Sequence, residues 1–504
     1  MAKKSVGAQL RELQPTFWLV NWLEMNERLA FFGIRAILPL YMIYSVAENG
    51  LGLSYTEKGT IYGIWAIVQT LVPMVSGGFT DAYGYKKSLY VAFSINFVGY
   101  LMFVWATGFW LTLLAACLVG LGTAIFKPPV QGTIAKVSTD ENSSFAWGIF
   151  YWMVNVGGFL APILAAVLRG ETNWSLVFYA AAGVTLFNLL ITILFYKEDA
   201  IKGAEPEGDV VKQVKSIGAT VKEILTTLGD KNFMIFLLIF SGFWFMFMQL
   251  WDLLPNFIDE WVYSRDVAPV FNFLFGWLGD VVLPNGNVKP EMMINIDSFS
   301  IILFMIPISL ITGRFHPMIA LIGGMVISLV GFMMSGGTNV GWMVAMAIFI
   351  FSIGEMGCSP KFSEYIGLTA PPEKKALYMG YSNIPFAIGW GVGNLVSGPL
   401  YDVFGSKENF ARQWMETQGG LSEAAVEAIP KEKVMETMAS LLNNGAGGTV
   451  EEATRLLWHL NDPWRVWAIL TAIGTAATIG MVIFYFKNKD QGISSAKKAE
   501  APVE

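Results

Sequence analysis

The feature that most constrains this chain is a series of apolar segments, each long enough to cross about 30 Å of bilayer hydrocarbon. Hydrophobic residues make up 54% of the 504 positions, and charged residues only 14%. A backbone inside lipid must satisfy its own hydrogen bonds, so segments of this kind are expected to be helices. The predicted spans are residues 17–44, 57–80, 88–106, 110–134, 146–168, 174–196, 233–258, 296–313, 316–335, 339–366, 377–401 and 464–486.

These twelve spans predict an all-α membrane protein built from two pseudo-symmetric halves of six helices. Residues 1–196 would form the first half and residues 233–504 the second. Between them, residues 197–232 are polar with apolar positions at helical spacing, which predicts an amphipathic helix on the membrane surface. The second half contains two insertions. We expect an interfacial segment at 263–295 and two or three short helices at 405–462.

Lysines and arginines indicate the orientation, because short cytoplasmic loops carry an excess of both. Lys86, Lys87 and Lys374 fall on the same side as the basic N-terminal segment, whereas the opposite short loops hold little more than Lys58 and Arg169. Both termini are therefore expected in the cytoplasm. The chain would lie in the plasma membrane, or in the inner membrane of a Gram-negative cell.

The first span carries four ionisable residues, Glu24, Glu27, Arg28 and Arg35. Each would cost roughly 2.5 to 3.5 kcal/mol near the centre of a bilayer. Spacings of three, four and seven place them on one stripe of the helix, which must face protein or an aqueous cavity. Intramembrane charges of this kind indicate a transport pathway. The alternative is a self-neutralising ion pair that only holds the helix against its neighbours.

Spans four and ten contain matching proline-bearing segments. Lys127 stands directly before two prolines in span four, and span ten contains Glu355 with Ser359 before another proline. Broken helices at corresponding positions of two repeats indicate the binding site of a transporter. We therefore expect interruptions at both places. Lys127 is expected to pair with Glu24 or Glu27, and Glu355 to have either Lys361 or no basic partner.

The connection after span two has the spacing GxxxDxxGxKK, with Gly77, Asp81, Gly84, Lys86 and Lys87. The glycines permit a tight turn, the aspartate suits a helix N-terminus, and the lysines mark the cytoplasmic side. This loop resembles the signature loop of the major facilitator superfamily, whose members are transporters with six plus six helices. We expect it to act as a cytoplasmic gate. A similar string at residues 398–405 falls on the outer side and is interpreted as coincidence.

Several functional classes are disfavoured by composition. A net charge of −6 offers no basic patch for nucleic acid. Two cysteines in apolar segments and two scattered histidines suggest neither a disulfide framework nor a metal site. The spans contain no pair of nucleophile and base, so we do not expect an enzyme. No cofactor is expected, and a proton gradient would supply the energy.

Four motifs resemble those of the proton-dependent oligopeptide transporters, and they occur in the expected order and spans. They are Glu24-x-x-Glu27-Arg28 followed by Phe31-Phe32-Gly33-x-Arg35, Phe126-Lys127-Pro128, Phe150-Tyr151-x-x-x-Asn155-x-Gly157, and Gly354-Glu355 with Ser359-Pro360. The resemblance implies the major facilitator fold and proton-driven import of di- and tripeptides by alternating access.

The resemblance also implies roles for individual residues. Proton coupling would involve Glu24, Glu27, Arg28 and Lys127. Substrate binding would involve Arg28, Arg35, Lys127, Asn155, Gln249, Glu355 and Ser359. In this scheme the cationic side chains hold the peptide carboxylate, Asn155 meets a backbone amide, and Glu355 meets the cationic end. The gate loop would use Asp81, Gly84, Lys86 and Lys87.

The sequence thus predicts a monomeric, proton-coupled transporter of small peptide-like solutes, with lipid as its only other partner. One alternative on the same fold is a facilitator or exchanger of small organic anions or other amphoteric solutes. An alternative of a different class is a non-transporting membrane sensor or binding protein, supported only by the insertion at 405–462. A channel is disfavoured because the charges are scattered and form no ring.

Overall fold

A computed structural model describes most of the chain. The described residues are 12–73, 76, 80, 83–138, 142–198, 231–369, 378 and 381–499. The surface helix predicted at 197–232 therefore lies outside the described residues, except for two positions at each end. Within the described part of the chain the regular elements are helices, with two isolated β-bridges. The predicted all-α class is confirmed.

The first half consists of six long helices, each coinciding with one predicted span. They are α1 (Pro15–Ile43), α2 (Tyr55–Leu71), α3 (Tyr85–Val104), α4 (Phe109–Val137), α5 (Ser143–Arg169) and α6 (Trp174–Phe195). Helix α1 packs against α5 and α6, and α3 packs against α4 and α6. Helix α2 begins at a capping box, in which the side chains of Ser54 and Glu57 bond to each other's backbone N–H groups.

The second half, as described from Lys231 onwards, contains shorter helices between its long ones. They are α7 (Lys231–Phe247), α8 (Gln249–Asp252), α9 (Leu254–Trp261), α10 (Ala268–Phe275), α11 (Pro290–Ile294), α12 (Ile296–Thr312), α13 (Pro317–Gly336), α14 (Gly341–Thr369), α15 (Asn383–Phe386), a π-helix (Ala387–Val392), α16 (Gly393–Phe404), α17 (Lys407–Thr417), α18 (Glu423–Glu427), α19 (Val434–Gly445), α20 (Val450–Asn461) and α21 (Arg465–Ala499). Helix α14 packs closely against α13 and α12, and α21 packs against α7 and α13.

Nine helical segments of the described chain are long and apolar enough to cross a membrane. The other three predicted spans are also helical. Each differs from the nine in one respect. Helix α1 carries the four intramembrane charges, and α2 is described over only 17 residues. The eleventh span is divided by the π-helix. The chain is therefore a multi-pass membrane protein, and the described residues include helix in each of the twelve predicted spans.

The predicted interruptions of spans four and ten are wrong. Helix α4 continues through Pro128 and Pro129, and α14 continues through Pro360. Pro128 leaves the carbonyl of Ala124 without its helical donor, and the hydroxyl of Ser76 donates to that carbonyl at 3.1 Å. A side chain from outside the helix thus compensates for the missing N–H. The discontinuities occur instead in span seven, between α7, α8 and α9, and in span eleven, at the π-helix.

Close packing between α2 of the first half and α16 of the second depends on glycine. A Cβ atom added at Gly59 would overlap the carbonyl oxygen of Asn394, and one added at Gly398 would overlap that of Tyr55. Small residues let membrane helices approach until their backbones touch. The two halves are therefore in direct backbone contact along this pair of helices.

Four short helices, α17 to α20, fold over the end of the bundle where α9 and α16 finish, and we call this the cap end. Two or three were expected. The predicted capping box at Thr449 and Glu452 is confirmed at the start of α20. The indole of Trp261 donates to the carbonyl of Gly405 at 2.8 Å, which ties the insertion to α9. In the other insertion, α10 is too short to span a membrane and exposes apolar side chains such as Phe273.

Enlarging either glycine at the α2–α16 contact should destabilise the protein. We expect Gly59→Ala and Gly398→Ala each to lower the free energy of unfolding by about 1 to 3 kcal/mol, because the added methyl group cannot fit without moving the backbone. Thermal unfolding of the purified variants measures this. Gly183→Ala is the matched control, since no atom lies within 4 Å of its added Cβ. Equal melting temperatures for all three variants would contradict the packing argument.

Candidate functional site

A cavity of about 230 Å³ lies between the two halves. Its walls come from α1 and α5 of the first half and from α7, α8, α9, α11, α12 and α14 of the second. The polar and charged residues that line it are Arg35, Tyr151, Asn155, Trp244, Trp251, Glu291, Asn295, Asp297, Ser298 and Glu355. Apolar walls with a few convergent polar groups are typical of small-molecule sites.

Arg35 joins the two halves on one side of this cavity. Its Nη2 lies 2.9 Å from Oδ1 of Asp252 on α8, and its guanidinium lies 4.5 Å from the ring centre of Trp390. The other oxygen of Asp252 accepts bonds from Trp390 Nε1 at 2.6 Å and from Asn394 Nδ2 at 2.9 Å. Asp252 and Trp390 both lie at the helix discontinuities of spans seven and eleven. These breaks therefore supply the partners of Arg35.

The opposite wall is acidic. Asp297 on α12 accepts a 2.6 Å bond from the hydroxyl of Ser352 on α14. Glu355, one turn further along α14, lines the same cavity. Its Oε2 atom is buried and has no hydrogen-bond partner among the described residues. Asn155 of α5 also lines the cavity and donates to the carbonyl of Tyr151 at 2.8 Å.

A second charged cluster lies on α1, about two turns from Arg35. Arg28 contacts both acids of its own helix: its Nε lies 2.6 Å from Glu27 and 3.4 Å from Glu24. Glu27 also accepts a 3.0 Å bond from the hydroxyl of Thr123 on α4. Lys127, one turn along α4, has no carboxylate within 4 Å among the described residues, although its charge acts on both acids. In this structure the acids pair with Arg28 and not with Lys127.

The cap end of the cavity is closed by bonds between the halves. Arg169 at the end of α5 forms a fully buried ion pair with Glu291 of α11. Beside it, the ammonium of Lys289 donates to the carbonyl of Ala166 at 2.7 Å. Burial lowers the pKa of Lys289 to about 8, so this bond is charge-assisted only below that pH. Further bonds join Tyr44 to Asp259, Tyr55 to Glu260, and Lys58 to Asn256.

Residues 398–405, whose sequence is similar to the gate loop, contribute to the contacts between the halves at the cap end. One carboxylate oxygen of Asp402 accepts from the backbone N–H of Tyr55 at 3.2 Å. The other accepts from the N–H and the hydroxyl of Thr56, at 2.8 and 2.6 Å. An acidic side chain of the second half thus caps the N-terminus of α2, where negative charge is favourable. The interpretation of this string as coincidence overlooked that contact.

The predicted site residues fall into three groups. Arg35, Asn155 and Glu355 meet in the cavity, and Glu24, Glu27 and Arg28 form the cluster on α1. Lys127, Gln249 and Ser359 lie outside the cavity lining. Gln249 is fully buried, with its Nε2 bonded to the carbonyl of Phe245 at 3.3 Å. The side chain of Ser359 lies 3.9 Å from the sulfur of Cys358.

The described part of the gate loop contacts the first half. Gly84 has a φ of +91°, and a Cβ there would approach the carboxylate of Glu198 at the end of α6. Lys86 donates to the carbonyl of Ile193 on α6 at 3.1 Å, whereas Lys87 is exposed. Asp81 lies outside the described residues. The predicted gate function of this loop stays a prediction.

Sequence reasoning assigned no role to two acids, Asp252, which is the partner of Arg35, and Asp297, which lines the cavity. Each lies near the end of a predicted span, where an acid usually reaches water. The indication in the sequence was clearer for Asp252, because this acid follows Gln249 and Trp251 within an otherwise apolar stretch. An acid in such a place is a functional candidate by default.

A family model described as the Major Facilitator Superfamily matches residues 27–394. The chain belongs to this superfamily. The crystal structure of the peptide transporter POT in complex with sulfate has a TM-score of 0.63 with this chain, at 17% identity, over 92% of this chain and 95% of that one. At that identity the likeness shows the fold. The predicted major facilitator fold is confirmed.

The alignments with two sequence relatives cover only part of each protein. The peptide transporter YePEPT of Yersinia enterocolitica subsp. palearctica serotype O:3 (strain YE-P4) is 28% identical over 184 residues, 35% of each chain. The uncharacterised transporter YclF of Bacillus subtilis (strain 168) is 28% identical over 212 residues, covering 41% of this chain and 42% of YclF. The alignments thus span less than half of either relative. These relatives are transporters and not enzymes, and this superfamily member is a membrane transporter.

Removing the carboxylate of Asp252 should strongly destabilise the transporter. In Asp252→Asn the buried Arg35 loses its counter-charge, and we expect a loss of about 3 to 5 kcal/mol in the free energy of unfolding. The double variant Arg35→Met with Asp252→Asn should recover most of that loss, because no unpaired charge remains. Thermal unfolding in detergent measures both effects.

The matched control is Glu451→Gln, which removes a carboxylate from an exposed pair with Arg455. Its cost should be about 1 kcal/mol or less. If Asp252→Asn were no less stable than Glu451→Gln, the ion pair of Arg35 would not hold the halves together.

Proposed function

We propose that this superfamily member is a proton-coupled secondary transporter that imports di- or tripeptides, or similar small peptide-like solutes, by alternating access. The observation that supports the proposal is the charge pattern of the cavity. Arg35 stands on the first half, and Glu355 and Asp297 stand on the second. A fork of guanidinium donors suits a carboxylate, and carboxyl groups suit an ammonium. A zwitterion would match both walls at once.

Arg35 also offers a mechanism for opening the cap end. Its guanidinium is bound to Asp252, which belongs to the other half. A substrate carboxylate that bound Arg35 would compete with Asp252 for the same donors. Loosening this pair would weaken one of the contacts that close the cavity. In the proposed cycle the cap end faces the outside of the cell, and both termini face the cytoplasm.

The cluster on α1 supports proton coupling. Two carboxylates share one guanidinium, so the group carries an excess negative charge when both are ionised. Glu27 is also held by Thr123, whereas Glu24 lies 3.4 Å from Arg28 and has no other bond among the described residues. Protonating Glu24 would therefore cost less free energy than protonating Glu27. Neutralisation of Glu24 would remove one of the two negative charges that act on Lys127.

Neutralising Glu24 or removing Lys127 should uncouple transport from the proton gradient. In proteoliposomes, Glu24→Gln and Lys127→Ala should reduce the uptake of dialanine under an inward proton gradient to the rate without a gradient. Exchange of labelled for unlabelled dialanine at equal pH should continue in Glu24→Gln, because that process needs no net proton movement.

Glu416→Gln is the control, since this acid is exposed on α17 and far from the cluster. It should transport as the unmodified protein does. Full concentrative uptake by both Glu24→Gln and Lys127→Ala would show that the cluster takes no part in proton coupling.

A second candidate is a facilitator or exchanger of small organic anions. It is favoured by one observation, the absence of a carboxylate within 4 Å of Lys127 among the described residues. Such a cation could serve an anionic substrate.

Glu355→Ala distinguishes the two functions. A peptide transporter should lose uptake of dialanine, because the ammonium loses a partner. An anion carrier should retain uptake of N-acetyl-dialanine, which is an anion without an ammonium group. Retention of both activities in Glu355→Ala would argue against the peptide transporter.

A further inference from the structure

A second cavity, of about 330 Å³, borders the central one. Its walls come from α10, α11, α12 and α14 of the second half, and the first half contributes Phe159 of α5. We call it the α10 pocket. Asn295 lines both cavities, so the α10 pocket and the central cavity share a wall.

The α10 pocket is lined almost entirely by hydrocarbon. Of its fourteen lining residues, only Asn295 and Ser300 are polar. Ser300 Oγ donates to the carbonyl of Ile296 at 2.6 Å, and Asn295 Nδ2 donates to that of Phe159 at 3.1 Å. Both side chains therefore spend their donors on backbone carbonyls. A charged ligand would lose its hydration here without adequate replacement, so the pocket suits an apolar group.

The mouth of the pocket lies between α10 and α12. It is lined by apolar side chains that are 39 to 57% exposed, namely Val270, Leu274, Phe299 and Phe304. The floor includes Phe271 and Met292, which are 8% and 1% exposed. Exposed apolar side chains on the flank of a membrane-spanning bundle face lipid. The mouth is thus continuous with the lipid-facing surface of this multi-pass protein.

The pocket lies at the depth of lipid acyl chains. Along α12 it extends from Ile296 to Phe304, a rise of about 12 Å, which fits within the roughly 15 Å of hydrocarbon in one leaflet. Two exposed tryptophans stand next to it towards the cap end, Trp277 after α10 and Trp342 one turn before Ala345 on α14. Exposed indoles are typical of the membrane–water interface. The pocket therefore begins directly inside the headgroup region.

The segment before α10 is fixed to the start of α14. The carboxylate of Asp266 accepts from the backbone N–H of Trp342 at 3.0 Å. The backbone of Tyr263 accepts from Gly341 at 3.1 Å and donates to Asn339 at 2.8 Å. Helix α10 is thus held beside α12 and α14 by hydrogen bonds within the second half. The pocket is preformed, as ligand sites in proteins usually are.

The first half closes the inner side of the pocket. The ring of Phe159 lies 5.7 Å from that of Phe299 and 6.4 Å from that of Phe275. These aromatic contacts, together with the bond from Asn295 to the Phe159 carbonyl, join α5 to the second half. A ligand in the pocket would therefore touch both halves.

We propose that the α10 pocket binds one acyl chain of a membrane phospholipid from the leaflet at the cap end. The chain enters between α10 and α12, lies along α12, and packs against Phe159 and Phe299, which belong to different halves. An apolar group of the cargo is the competing occupant. It would have to pass the wall that Asn295 and Phe159 form, whereas the mouth is open to lipid.

Photolabelling tests the site in the unmodified protein. The probe is a phosphatidylcholine with a diazirine midway along one acyl chain, in nanodiscs of phosphatidylcholine. Mass spectrometry of the labelled peptides should find label on Phe271 and Met292, which are buried in the pocket floor. Val330, which is 50% exposed on α13, reports lipid at the ordinary surface. Label on Val330 without label on Phe271 or Met292 would overturn the proposal.

Filling the pocket should exclude the chain. Ala345 lines the pocket on α14, and Ala345→Trp places an indole there. The label on Phe271 and Met292 should be lost, while Val330 keeps its label. Gly183→Trp is the matched control, because it adds the same indole to α6, where no atom lies within 4 Å of the added Cβ. Equal labelling of the pocket floor in the two variants would contradict the proposal.

Competition distinguishes the acyl chain from cargo. Neither dialanine nor diphenylalanine should reduce the label on Phe271. Loss of that label with diphenylalanine but not with dialanine would assign the pocket to an apolar group of the cargo and overturn the lipid site. Photolabelling needs neither uptake nor a proton gradient, so its result is independent of whether the proposed peptide transport is correct.

Discussion

The contacts between the two halves follow from the free-energy cost of leaving a charge unpaired in a low-dielectric interior. Two buried arginines are matched by acids of the other half, Arg35 by Asp252 and Arg169 by Glu291, and these ion pairs join the first half to the second. The ion pairs thereby replace part of the apolar packing that would hold two domains of a soluble protein together. A charged group in such an ion pair can exchange its partner for a proton or a charged solute. The side chains of a packed apolar core have no alternative partner of this kind.

The helix discontinuities explain how the second half reaches those charges. Span seven is broken around α8, and span eleven contains a π-helix, so Asp252 and Trp390 project towards Arg35 from backbones that a straight helix would not provide. Non-helical backbone in a membrane is tolerated where it is buried in protein or lines a cavity. The cost of the breaks is thus incurred at the point where the two halves are joined through Arg35.

The two halves carry acids of different kinds. In the first half, Glu24 and Glu27 share the guanidinium of Arg28, so their ionisation is already supported by a cation. In the second half, Asp297 accepts a bond from the hydroxyl of Ser352, and neither Asp297 nor Glu355 has a cation within 4 Å among the described residues. Negative charge is thus partly balanced within the first half, whereas these two acids of the second half have no such cationic partner.

Sequence alone determined the twelve spans, the polar stripe on α1 and the capping box at Thr449 and Glu452, because these depend on residue type and spacing along one helix. It also identified Arg35, Asn155 and Glu355, all of which line the cavity. Tertiary structure decided the partners. Arg28, and not Lys127, holds the acids of α1, and Ser76 preserves the helix at Pro128 by bonding to Ala124. Which buried groups meet depends on distances between helices far apart in the chain, and no local pattern encodes them.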